Sequence, residues 1–291
     1  MDKSSSFFSR KKTITCNGEI VDLSKPMVMG IINVTPDSFY GASRYMMRYR
    51  IARRAKQIVE QGGGIIDVGA CSTRPGAELV SEKDELKRLD KALSAIRKVL
   101  PTAIISVDTF RASVAKHVVE NFGVSIINDI SAGDMDANMF KTIANLNVPY
   151  ILMHMQGTPA SMQKQPQYNN VVREVFTFLN FRVEKLKLMG VNDILIDPGF
   201  GFGKTIEHNY TLLQNLESFC ILDLPIVAGL SRKSMIYKQL NISPKEALNG
   251  TTVLNTIALN NGAKILRVHD VKEAVEAVTL TQFSNSQPLV N

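Results

Sequence analysis

Asn33, Asp67, Asp108, the pair Asn128 and Asp129, His154, Asp197, the triplet Ser231-Arg232-Lys233, and Arg267 with His269 each stand at or near the end of a short apolar run. Carboxylates and side-chain amides can read the donor and acceptor edge of a heterocycle, and Lys and Arg can hold an anion such as phosphate. Taken singly, an Asp or Asn after an apolar run is commonly a helix cap or a turn residue. Eight such endings brought to one rim would instead make a polar binding site. His154 is read as a satisfied strand-end histidine and is left out of the candidates.

The elements that must position these residues follow from the apolar runs themselves. Runs at 27–33, 64–69, 103–108, 124–129, 149–154, 193–197, 224–229 and 263–268 are rich in Val, Ile, Leu and Met, mostly without polar alternation. That pattern predicts parallel strands covered on both faces. Helical periodicity fills the gaps. Leu86, Leu89, Leu93, Ile96 and Leu100 recur on one face of 81–100, behind a capping-box pattern at Ser81 and Asp84. Ile51, Ala55, Ile58 and Val59 form a second stripe, which ends at Gly62-Gly63-Gly64.

Eight β-α units close most simply into a (β/α)8 TIM barrel, whose sites lie at the C-terminal strand ends. An open doubly wound sheet is the alternative, but the turn after the first strand, Gly-Ile-Ile-Asn-Val-Thr-Pro, lacks the glycine-rich signature of that fold. Residues 13–22, TITCNGEIVD, predict a β-hairpin about Asn17-Gly18 that plugs the barrel floor. The expected division is an N-terminal segment with the hairpin over 1–25, the barrel over 26–283 and a polar tail over 284–291.

Composition narrows the partners. With 45% hydrophobic and 21% charged residues the chain reads as an ordinary globular protein. Its formal net charge of +7 suits an anionic ligand. The clusters Arg10-Lys11-Lys12 and Arg53-Arg54 are too short to indicate nucleic-acid binding. Cys16, Cys71 and Cys220 form no CxxC pair, which argues against a disulfide framework and a structural zinc site and fits a reducing compartment. No signal core and no apolar run of membrane-spanning length is visible, so a cytoplasmic chain with no membrane partner is expected. The segment DPGFGFGKT at 197–205 nearly matches a phosphate-cradling GxxxxGK[ST] loop, yet Pro198 occupies the first glycine position, and a nucleotide-hydrolysing loop is rejected.

The ordered motifs resemble one family. Asn-Val-Thr-Pro-Asp-Ser-Phe at 33–39, Gly-Ala-Cys-Ser-Thr-Arg-Pro-Gly at 69–76, Ser-Val-Asp-Thr at 106–109 and Ile-Asn-Asp-Ile at 127–130 are similar to signatures of the dihydropteroate synthases. So are Leu-Met-His-Met-Gln-Gly at 152–157, Asp-Pro-Gly-Phe-Gly-Phe-Gly-Lys at 197–204, Ser-Arg-Lys-Ser at 231–234 and Arg-Val-His-Asp at 267–270. The likeness covers about residues 26–280.

The resemblance implies a barrel that condenses 6-hydroxymethyl-7,8-dihydropterin pyrophosphate with 4-aminobenzoate on the route to folate. It implies that Asp108, Asn128, Asp197 and Lys233 hydrogen-bond the pterin, with Met153 and Phe202 packing near its ring. Arg267 and His269, with Asn33, Thr73 and Arg74, would bind the pyrophosphate, and Asn33 would help place a Mg2+ ion on its oxygens. Thr73, Arg74, Pro75, Phe202, Ser231 and Lys233 would form the aminobenzoate site. Asp108, Asp37, Lys233 and Arg267 are the implied catalytic set, and a homodimer is the implied assembly.

One departure stands out: where the family commonly continues Ser-Asp-Gly-Gly after Phe39, this chain has Tyr40-Gly41-Ala42-Ser43-Arg44. A related methyltetrahydrofolate-dependent methyltransferase barrel would share the carboxylate pocket. Ser-Thr-Arg-Pro, Ser-Arg-Lys and Arg-Val-His instead suit pyrophosphate and aminobenzoate, and no corrinoid-binding segment is visible. An inactive pterin-binding homologue would be expected to have lost Lys233, Arg267 and His269, which are all present.

Overall fold

The computed structural model describes residues 12–34, 44–71, 80–159, 161–162 and 165–288, excluding the side chains of residues 44 and 45. Two short strands, β1 (Thr13–Cys16) and β2 (Glu19–Asp22), pair antiparallel. Asn17 at φ 52° and Gly18 at φ 83° supply the two left-handed positions of their tight turn.

The barrel then alternates strand and helix: β3 (Met27–Asn33), α1 (Arg44–Glu60), β4 (Ile65–Gly69), α2 (Glu82–Val99), β5 (Ile105–Asp108) and α3 (Ala112–Phe122). It continues with β6 (Ile126–Asp129), α4 (Met139–Leu146), β7 (Tyr150–Met153), α5 (Val171–Leu188), β8 (Ile194–Asp197) and α6 (Ile206–Gln214). It ends with β9 (Ile226–Ala228), α7 (Ser234–Tyr237), α8 (Leu248–Asn260), β10 (Ala263–Val268) and α9 (Val271–Asn285). The eight expected strands all form, each within a few residues of its apolar run.

Closure rests on the parallel pairing of β10 with β3, where Ile265 lies beside Met27 and Val268 beside Gly30. The strand order β10-β3-β4-β5-β6-β7-β8-β9 is therefore a closed ring, and the open-sheet alternative is excluded. The core has layers. Between strands and helices, buried aliphatic side chains such as Val28, Ile58, Leu93, Val118, Leu179 and Leu266 form one continuous cluster.

At the floor, Ile14, Cys16 and Leu23 from the hairpin and its exit pack on Met29, Ile65, Ile126, Ile151, Leu195, Val227 and Ile265 from the strands above. Thr15 donates its N–H to Asp193 Oδ2 at 3.0 Å, and Asn17 Nδ2 donates to Ser125 Oγ at 2.9 Å. The hairpin is thus the expected plug. Each fully buried aliphatic side chain there stabilises the closed floor by about 1.5–3 kcal/mol.

Two local expectations need correction. Ser81 does cap α2, accepting from Asp84 N at 3.2 Å, but Asp84 turns its carboxylate to the Ser81 hydroxyl at 2.7 Å. An Asp is one methylene shorter than the Glu that closes a full capping box. α9 also continues to Asn285, two residues beyond the boundary expected at 283. Among the described residues no helix is long and apolar enough to cross a membrane.

Candidate active site

Within each strand, side chains alternate between the barrel interior and the helix layer, and this decides which polar endings meet. Asp67, in the middle of β4, and Arg267, near the end of β10, both face inward. Arg267 Nε donates to Asp67 Oδ2 at 2.7 Å, its Nη2 lies 2.7 Å from the same oxygen, and Nη2 also donates to Asp108 Oδ2 at 2.8 Å. Asp67 is fully buried and Asp108 nearly so. Burial opposes the guanidinium charge, but Asp67 and Asp108 more than offset it and hold the Arg267 pKa above its ordinary value. The Asp108 carboxyl is raised to about 7, first by burial, which outweighs the pull of Arg267, and then by the charges of Asp67, Asp129 and Glu85.

Across the mouth, the loop after β8 and the turn after β9 form a second half. The Lys233 ammonium donates to the carbonyl of Phe200, stands 4.9 Å over the Phe202 ring and faces Asp197. Burial lowers its pKa to about 8 against the pull of Asp197. Burial also raises Asp197, opposed first by Lys233 and then by the Gly199 N–H, which donates to Asp197 Oδ1 at 2.7 Å.

Gly229 lies against this pair, its Cβ position 3.6 Å from Lys233 Nζ and 3.8 Å from Asp197 Oδ2. Gly69 lies opposite, its Cβ position 3.6 Å from Asn33 Oδ1 and 3.8 Å from Asp108 Oδ2. Asn128, buried, lies beside Asp108 in strand register. Met153, Phe110, Ile130, Met155 and Met162, with Phe202 against them, line the apolar side.

The rim carries the remaining candidates. Ser231 Oγ lies 3.1 Å from His269 Nδ1 and accepts from His269 N at 3.2 Å. Crowding by protein atoms, and then the Arg267 charge, push the His269 imidazole down to about 4. Arg54 of α1 donates to the His269 carbonyl at 2.5 Å. Asn33, half-buried, ends β3. Asp108, Asn128, Asp197, Lys233 and Arg267 therefore share one cup, Met153 and Phe202 line it, and Asn33, Ser231 and His269 edge it. The expected site residues Asp37, Thr73, Arg74 and Pro75 lie outside the described residues.

Three of the polar residues at the strand ends do not join the cup. For Asp129 and Arg232 this corrects the expectation that they converge with the others, although Asn128, Ser231 and Lys233 from the same strand ends do. His154 is the satisfied strand-end histidine that was expected. Asp129 turns to the helix layer, accepting from Tyr150 OH at 2.6 Å and from Ser131 and Gly133. His154 packs on Phe178 and meets Lys204 Nζ at 2.9 Å through Nδ1. Arg232, at φ 55°, points away to Asp270, with Nε 2.8 Å from Oδ2. Asp129 and His154 follow inward-facing or strand-final residues, so the two-residue period sends them outward.

Two residues had no role assigned from sequence. Asp67 carried a signal, an acid inside the buried run IIDVG, which must find a partner charge. Lys204 stood in the rejected phosphate-loop pattern and in the motif at 197–204 without a role; it is buried and donates to the carbonyls of Gly199 at 2.9 Å and Phe202 at 3.0 Å. Its ammonium is a clamp within the β8 loop, which confirms the rejection.

A cup with two carboxylates, an amide and an ammonium can read a flat ring with both donors and acceptors, and the guanidinium and imidazole beside it can hold an anion. Comparison with known proteins agrees. Residues 29–269 match the family model described as pterin binding enzyme. The dihydropteroate synthase of Haemophilus influenzae is 41% identical over 268 residues, covering 91% of this chain and 96% of that protein. The solved Xanthomonas albilineans dihydropteroate synthase with 4-aminobenzoic acid superposes with a TM-score of 0.88 at 36% identity, covering 95% of this chain and 99% of the other. The same enzyme in complex with 7,8-dihydropteroate gives a TM-score of 0.84 at 34% identity, covering 95% and 100%. The chain belongs to the pterin-binding enzyme family, and within it to the dihydropteroate synthases.

Proposed function

We propose that this chain joins 6-hydroxymethyl-7,8-dihydropterin pyrophosphate to 4-aminobenzoate, giving 7,8-dihydropteroate and pyrophosphate. The observation that carries the reading is the cup itself: Asp108, Asn128, Asp197, Lys233 and Arg267 come from five strand ends and meet in a chain whose close relatives bear that activity in their name. In this reading Asp108 and Asp197 accept from the amino-pyrimidine edge of the pterin, Asn128 and Lys233 meet its remaining polar atoms, and Met153 and Phe202 cover its faces. Arg267 and His269, with Asn33, Thr73 and Arg74, hold the pyrophosphate; Ser231, Lys233, Thr73, Arg74, Pro75 and Phe202 hold the aminobenzoate. Asp37 completes the set on the first loop.

The reaction needs no protein nucleophile. The methylene C–O bond breaks with its electron pair going to pyrophosphate, whose charge Arg267 offsets. The arylamine lone pair forms the new C–N bond, and the nitrogen then gives its proton to solvent. The chain's contribution is orientation of the two substrates and stabilisation of the leaving group.

A Mg2+ ion fits only as a substrate-borne ion. Among the described residues no group of three or more His, Cys, Asp or Glu side chains could hold a metal, whereas Asn33 Oδ1 faces the cup and Mg2+ is commonly bound by one protein oxygen plus phosphate oxygens and water. When bound there, it would neutralise pyrophosphate charge. A homodimer is the assembly we propose, supported by exposed Val253, Leu280 and Phe283 on the adjacent helices α8 and α9; sedimentation equilibrium tests it. A cytoplasmic location accords with three cysteines that form no disulfide among the described residues.

The deciding experiment is product release from purified protein with Mg2+. Pyrophosphate and dihydropteroate are expected only when both substrates are present. Absence of turnover at every neutral to mildly alkaline pH would overturn the reading.

A further inference from the structure

Arg267 is held along its side edge and at one nitrogen of its end edge. A guanidinium has a side edge, Nε with Nη2, and an end edge, Nη2 with Nη1. Both nitrogens of the side edge lie 2.7 Å from a single oxygen, Asp67 Oδ2, and the outer hydrogen of Nη2 goes to Asp108 at 2.8 Å. Among the described residues, Nη1 donates to nothing. The other oxygen of Asp67 is buried without a partner, and so is the hydroxyl of Ser106, its register neighbour on β5. An acid fully buried one layer below the substrates, bonded through one oxygen to one side chain, is an expensive structural element unless that side chain must be aimed.

We propose that Asp67 is a positioning residue for the leaving group: it fixes the side edge of Arg267 so that Nη1 faces the pyrophosphate while Nη2 stays with Asp108. The inference rests on the reading above, in which Arg267 meets pyrophosphate. Without the Asp67 charge, Nη2 would keep its single bond to Asp108 but the side edge would no longer be fixed. The guanidinium would then swing about that bond, and the anion would lose its aimed Nη1 donor while Asp108 stays open to the pterin. Asp67 touches neither substrate, so its effect should appear in the pyrophosphate-dependent quantities alone.

The test is Asp67→Asn, close to isosteric, in the full chain. Affinity for inorganic pyrophosphate with Mg2+, measured by calorimetry, and kcat/KM for the pterin pyrophosphate should each fall roughly ten- to hundredfold, the worth of one charge-assisted hydrogen bond. The KM for 4-aminobenzoate and the affinity for 6-hydroxymethylpterin, which lacks the pyrophosphate, should stay within about twofold of wild type. Equal losses for all ligands would show a merely structural acid and overturn the proposal, as would no loss at all.

A second measurement does not depend on the Asp67 variant. The Arg267 Nε–H resonance of the wild-type chain, assigned by its disappearance in Arg267→Lys, should be protected from solvent exchange both with and without pyrophosphate. An Nε–H that exchanges freely in the unliganded protein overturns the proposal. Wild-type protein with no turnover would instead refute the reaction, leaving the resonance to decide whether Asp67 holds Arg267.

Discussion

Replacing Lys204 by Met tests whether the β8 loop is held by one buried amine. Lys204 is 3% exposed, and its Nζ meets His154 Nδ1 at 2.9 Å, Gly199 O at 2.9 Å and Phe202 O at 3.0 Å. Burial lowers its pKa well below the ordinary lysine value, although Asp197 pulls the other way. Methionine fills a similar volume without donors. Leaving three buried acceptors unmatched costs about 1–3 kcal/mol each, and removing the desolvated amine offsets part of that, so the net loss is about 2–4 kcal/mol. In a chain of this size each kcal/mol moves Tm by about 2–4 °C, which puts the expected fall at roughly 5–15 °C by calorimetry.

The effect should reach the cup as well. Lys204 fixes the carbonyl of Phe202, and the neighbouring Phe200 carbonyl receives Lys233, so a loosened loop shifts both the aromatic wall and the ammonium. Pterin affinity should therefore fall by about tenfold, the worth of one hydrogen bond to a charged group. A Lys204→Met protein that melts within about 2 °C of wild type would refute the clamp, because three unmatched buried acceptors cannot be that cheap.

Two further outcomes follow from burial and charge. The ionised Asp108 carboxylate accepts from pterin donors more strongly than its acid form does, and its pKa is raised to about 7, so affinity for a pterin lacking pyrophosphate should rise as pH climbs through that value; titration calorimetry of Asp108→Asn should show the rise gone. Leu23→Ala, in the fully buried floor cluster far from the mouth, should cost about 2–5 kcal/mol in denaturant unfolding while leaving both KM values unchanged, and a changed KM would show that the floor and the mouth are coupled.

The fold was legible because apolar runs without alternation and a 3.6-residue stripe are direct records of two-sided and one-sided burial; Ile65 and Ile66 are buried on opposite sides of β4 and leave no polar phase. The hairpin was legible from Asn17-Gly18 for the same reason, since few dipeptides tolerate two left-handed positions. The site was legible at the level of residue type, because Asp108, Asn128, Asp197 and Lys233 do meet. Direction was the part hidden in the string. Asn128 and Asp129 are both polar and both strand-final, and nothing in their types says that one faces the cup and the other Tyr150.

Pairing was hidden too. Asp67 and Arg267 lie 200 residues apart, and only barrel closure through β10 and β3 makes them neighbours across β3. Lys204 shows the converse case: a lysine after glycines looks like a phosphate loop and was rejected because Pro198 replaces the first glycine, while the use the loop makes of that lysine, its own carbonyls closing on the amine, left no trace in the pattern. The general lesson is physical. Burial leaves a periodic trace in sequence, whereas hydrogen-bond direction depends on which carbonyls and carboxylates the closed chain brings near, and those are fixed only when the ring is complete.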